Sequence, residues 1–119
     1  MHPTDPEELL PLPWTVFQIL VAVADRERHG YGIMQDIETR TGGKTRLSPG
    51  TLYGSIKRML EQGLIRETGE RPDPENDDER RRYYCITDFG RRVAGLETER
   101  LSKLVSQAVA SLLPRSRPS

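Results

Sequence analysis

The stretch after Thr87 restricts the fold more than any other part of the chain. No proline interrupts it until Pro114, and Phe89, Val93, Leu96, Arg100, Leu104, Ala108 and Leu112 recur at steps of three and four, the spacing of one helical face. Thr87 offers a capping oxygen at its start. About 25 residues at 1.5 Å each make a rod of roughly 37 Å. A chain of 119 residues builds one modest core, and such a core cannot cover a stripe of that length. Helices in proteins are held chiefly by burial of their apolar face, so a second copy of the chain is expected to cover it. The residues expected in that homodimer are Phe89, Val93, Leu96, Leu101, Leu104, Val105, Ala108 and Leu112, together with Leu9, Leu10, Leu12 and Phe17 near the start of the chain.

The remainder divides into shorter elements. Pro11 and Pro13 open a helix expected to run to about Arg28, with Trp14, Phe17, Leu20, Val21 and Ala24 toward the core. His29 is read as a cap of that helix or a partner for a nearby carbonyl. A second helix, from about Tyr31 to Thr41, places Ile33, Met34 and Ile37 on one side and ends at Gly42-Gly43. Ser48 as N-cap and Pro49 at the first helical position open a third, with Leu52, Ile56, Met59 and Leu60 as its buried stripe and Gly63 as its stop. Leu64 to Thr68 and Arg82 to Ile86 read as two short antiparallel strands around a long loop rich in Pro, Gly and Asp. Period two groups Tyr84 with Ile86 in the core. The fold class is therefore mainly α with a small β-hairpin, in the order of a winged helix-turn-helix. Residues 1–87 form the DNA-binding domain in this reading, 88–113 the dimerisation helix and 114–119 a disordered tail.

The third helix carries the chemistry. Opposite its apolar stripe lie Gly50, Thr51, Gly54, Lys57 and Arg58, with Tyr53 and Ser55 at the flanks and Ser48 at its start. Glycine inside a helix costs about 1 kcal/mol relative to alanine, so Gly50 and Gly54 make sense where another surface comes close. In a major groove Thr51 and Ser55 would meet base edges, while Tyr53, Lys57 and Arg58 would hold phosphates. Eighteen basic and eighteen acidic side chains cancel over the whole chain, but from Arg40 to Arg71 there are seven bases and three acids. The hairpin adds Arg80, Arg81 and Arg82 for a DNA backbone or minor groove. It also carries five acids from Asp73 to Glu79, which would repel phosphates.

Other functions find little support. No nucleophile–base arrangement, phosphate loop or metal-ligand spacing is present, and Gly30-Tyr31-Gly32 lacks the third glycine of a dinucleotide fingerprint. No enzyme, cofactor or metal is expected. The lone Cys85 can make no internal disulfide, Met1 to Pro13 has no signal-peptide character, and Trp14 to Ala24 is about half the ~20 residues that span a bilayer. The expected location is the cytoplasm, away from membranes. Trp14 and Phe17 are the candidates for an effector pocket.

HGYGI (29–33), LSPGTLYGSIKRMLEQGLI (47–65) and RRRYYCITDFGRR (80–92) resemble, in order and spacing, the PadR family of bacterial transcriptional regulators. The length is similar to that of the subgroup with a single C-terminal helix. The resemblance implies a winged-helix dimer joined by its C-terminal helices, acting as a repressor that a small molecule releases. It also implies that Ser48 to Gln62 is the reading helix and that Arg80 to Arg82 contact the DNA backbone. A two-fold dimer sets its reading helices about 34 Å apart, one DNA turn, which suits a palindromic operator. The alternative reading is a winged-helix module that binds protein instead of DNA, for which the zero net charge and the acidic wing argue.

Overall fold

The structure, a computed structural model, describes residues 4–73 and 76–113, and side chains for those outside 73–80. After a 3-10 turn at Pro6–Leu9 come α1 (Trp14–Ala22), β1 (Arg28–His29), α2 (Gly30–Arg40), α3 (Pro49–Glu61), β2 (Ile65–Asp73), β3 (Asn76–Ile86) and α4 (Asp88–Leu112). The strands form one antiparallel sheet in the order β1-β3-β2.

Two expectations about the start of the chain are corrected. The first helix ends at Ala22, because Arg28 turns back and donates from Nε to the Ala22 carbonyl at 2.6 Å while its guanidinium lies 3.4 Å from Asp36. Arg28 and His29 are thereby freed to pair with Tyr84 and Tyr83 as a third strand. The buried face of α1 is Val16, Ile19 and Leu20, continued by Val23 beyond the helix, and Trp14 is 61 % exposed. Almost every residue of this helix is apolar, so its spacing admits two stripes, and packing selects the second.

The hairpin is also longer than expected. Pairing runs from Ile65–Ile86 out to Asp73–Asn76, so much of the supposed loop is strand. Pro72 is tolerated because β2 is an edge strand, where a missing N–H leaves no ladder bond unmade. The side chains of the acidic run Asp73–Glu79, and the tail 114–119, lie outside the described residues.

The core joins Ile19, Leu20, Ile33, Ile37, Leu52, Met59, Leu64, Tyr84 and Val93, with Ile86 packed against it. Thr87 ties α4 to this body. Its hydroxyl oxygen accepts from Gly90 N–H at 2.9 Å and its O–H donates to the Gly63 carbonyl at 2.5 Å. A Cβ on Gly90 would overlap the Leu64 carbonyl, so glycine there lets the root of the long helix sit directly on the backbone just before β2.

Candidate nucleic-acid interface

The outer face of α3 begins at its cap. Ser48 Oγ accepts from Thr51 N–H at 3.2 Å, and its own O–H donates to Thr51 Oγ1 at 3.0 Å. Thr51 Oγ1, accepting that bond on an exposed residue, retains its own O–H as a donor. Gly50, Thr51, Lys57 and Arg58 are exposed, Gly54 is half-buried and Tyr53 is 50 % exposed. A Cβ on Gly50 or Gly54 would meet nothing within 4 Å, so internal packing does not call for glycine at either place.

Ser55 does not belong to this surface. It is 2 % exposed, because Leu52, Ser55, Ile56 and Met59 complete the i, i+3, i+4, i+7 stripe that packs inward. Leu60, expected in that stripe, lies one step further round and is 36 % exposed.

Two other elements converge on the same edge at the first turn of α2. Tyr53 lies so close to Gly30 that a Cβ there would overlap its hydroxyl. His29 caps α2, not the first helix, since its Nδ1 accepts from Gly32 N–H at 2.9 Å. Arg81 Nη1 is 2.8 Å from His29 Nε2, which brings the root of the wing to this turn. Tyr31, 54 % exposed and stacked against His29, stands beside them. The sequence pattern did not mark Tyr31 as a surface group, although it lies within HGYGI.

The described arginines of the wing are held individually. Arg82 Nε lies 3.1 Å from Glu70 Oε1, and this bond, with Glu67 nearby, keeps its guanidinium firmly protonated. Arg71 stacks 4.1 Å above the Tyr83 ring and pairs with Glu27 at 2.5 Å. The Arg80 side chain lies outside the described residues, while its backbone pairs with Pro72.

The residues expected at a dimer contact separate into two groups. Val93 is fully buried within its own chain, and Leu9, Leu12 and Phe89 pack against the same core. Leu104, Val105 and Leu112 are exposed, while Phe17, Leu96, Leu101 and Ala108 are half-buried. Val109 and Leu113, not foreseen, are 49 % and 59 % exposed on the same stretch. Trp14 and Phe17 do not line the groove beside α4, whose walls include Leu10, Leu96, Arg100 and Leu104. Among the described residues no helix is long and apolar enough to cross a membrane, and no three His, Cys, Asp or Glu side chains are placed to hold a metal ion.

The model of the transcriptional regulator PadR-like family matches residues 19–95. The chain is 33 % identical over 96 residues to an uncharacterized 37.1 kDa protein in transposon TN4556 of Streptomyces fradiae, covering 81 % of this chain and 25 % of that protein. It is 31 % identical over 74 residues to uncharacterized protein X of Lysinibacillus sphaericus, covering 61 % of this chain and 64 % of that one. It therefore spans about a quarter of the first relative and under two thirds of the second. Similar solved structures include a transcriptional regulator from Clostridium thermocellum (TM-score 0.69, 22 % identity, 85 % of this chain and 91 % of that one). A PadR family regulator from Clostridium difficile gives a TM-score of 0.66 at 20 % identity, over 86 % of this chain and all of that one. A PadR-like regulator from Bacillus cereus gives 0.69 at 21 %, over 84 % and 92 %. At these identities the structural likeness establishes a shared winged-helix fold.

Proposed function

The chain belongs to the PadR-like family of transcriptional regulators, which are not enzymes, and from that premise we propose that it is a dimeric, sequence-specific DNA-binding repressor released by a small-molecule effector. The observation that carries the DNA reading is the outer face of α3. Gly54, in the interior of α3, costs the helix about 1 kcal/mol, and neither it nor Gly50 in the first turn relieves internal crowding. What they provide is a flat path to the backbone between Thr51 and the cations Lys57 and Arg58. Laid in a major groove, this face lets the Thr51 O–H donate to a base acceptor, while Lys57, Arg58 and Tyr53 take phosphates. Arg81 and Arg82 extend the contact along the wing.

The exposed apolar residues of α4 support pairing with a second copy. Pairing sets the reading helices about 34 Å apart and asks for a palindromic operator. In this reading residues 1–87 read DNA and 88–113 pair the protomers, and the protein works in the cytoplasm. An effector that changes the angle between the two halves spoils that spacing and releases the operator.

A gel shift at low ionic strength, with the DNA upstream of the protein's own gene and a random duplex as control, tests the reading. Tighter retention of the upstream fragment is expected. No retention of any duplex would favour the protein-binding alternative, for which the balance of eighteen bases and eighteen acids speaks.

A further inference from the structure

The last buried side chain of α4 is a carboxylate. Glu97 is 1 % exposed. Its Oε2 accepts from Leu12 N–H at 2.8 Å, across 85 positions of sequence, and from Arg100 Nη2 at 3.2 Å, and its Oε1 accepts from Arg100 Nε at 2.5 Å. Taking a carboxylate out of water costs free energy that its partners only repay, and an apolar side chain of similar volume is often as stable or more so. Stability alone is therefore a poor reason for a glutamate here. Charge-assisted hydrogen bonds supply something that apolar contact does not, namely direction.

The place of this group gives direction a use. In residues 98–112 of α4 no side chain is fully buried, Leu101 and Ala108 being half-buried and Leu104 edging the groove with Leu10, so Glu97 is the last point at which the domain fully encloses the helix. Those 15 residues reach about 22 Å. A swing of about 10° at their root displaces the far end by about 4 Å, more than the ~3.4 Å between successive phosphates of a strand along the DNA axis.

We propose that Glu97 is a positioning residue for DNA recognition: by clamping the Leu12 backbone to α4, with Arg100 completing the pair, it fixes the angle at which the dimerisation helix leaves the winged domain, and with it the separation of the two reading helices. The proposal rests on the reading of α4 as the dimer contact.

Spin labels at Lys57→Cys, in a Cys85→Ala background, report the distance between the two reading helices of the full-length dimer by double electron–electron resonance. With Glu97 in place the distance distribution is narrow. In Glu97→Met, sedimentation and helical content are unchanged, yet the distribution at least doubles in width. Glu97→Gln keeps an acceptor for Leu12 but loses the charge that holds Arg100. It falls between the two, and it decides the matter if the methionine variant does not fold. An unchanged width in the folded variants overturns the proposal, and a monomeric protein overturns it together with the dimer reading. Broadening, with a wild-type chain that retains no duplex, leaves the clamp on α4 standing but overturns its role in DNA recognition together with the DNA reading.

Discussion

Gly54 separates stability from binding at a single position. A methyl group there enters open space, so Gly54→Ala removes backbone freedom from the unfolded chain and meets no clash. Urea unfolding is expected to show a gain of about 0.5–1 kcal/mol, while affinity for the operator falls because the added group holds α3 off the groove. A gain in stability with undiminished affinity would place the groove elsewhere. Thr51 and Lys57 divide along another line. Thr51→Ala is expected to cost about 1–3 kcal/mol on the operator and little on random DNA. Lys57→Ala should weaken binding to both and lower the slope of log affinity against log salt by about one. Titrations by fluorescence anisotropy at several salt concentrations distinguish the two patterns.

Among the elements, α3 and α4 were the most legible in the sequence. Ser48 and Thr87 announced their starts through a capping oxygen three residues before a backbone N–H that needs one, and each cap is made. The end of α1 was hidden because apolar residues surround that helix, and β1 was hidden because two residues carry no period of their own and form a strand only against β3. The outer face of α3 could be read from spacing alone, apart from Leu60, which lies exposed one step beyond the buried stripe, and Ser55, whose small polar side chain gives no sign of burial. Glu97 was invisible for a related reason, since a glutamate three residues before an arginine looks like an ordinary surface pair. Its environment is nevertheless testable by pH. The bond from Arg100, helped by Leu12 N–H, holds the Glu97 carboxyl below the ordinary carboxylate range against the opposing effect of burial. A folded value below the unfolded one means that this stabilisation is complete above the ordinary range and is lost as pH falls through the lower, folded value. Between pH 6 and 3 the melting temperature of the wild type should therefore fall further than that of Glu97→Gln. In the free half of α4, Val105→Asp places a charge in the apolar stretch and is expected to shift the protein toward monomer in sedimentation, with at least a tenfold loss of operator affinity. A dimer of unchanged strength would assign the contact to another surface.

The described residues form an elongated body of 68 × 38 × 23 Å. The chain carries no net charge, so long-range attraction does not bring it to DNA by itself, and under the proposed function binding comes from the local basic surface of α3 and the wing. That makes geometry decisive, because a weakly steered protein gains specificity by engaging two half-sites at once. Two reading helices joined by α4 are expected to protect two patches on one face of the duplex. Hydroxyl-radical footprinting of the wild-type protein on the DNA upstream of its gene, at low ionic strength, reads that pattern directly. Two protected patches with centres about 34 Å apart, both lost in Val105→Asp, are the expected result. A single patch, or an unprotected duplex at every protein concentration, would contradict it.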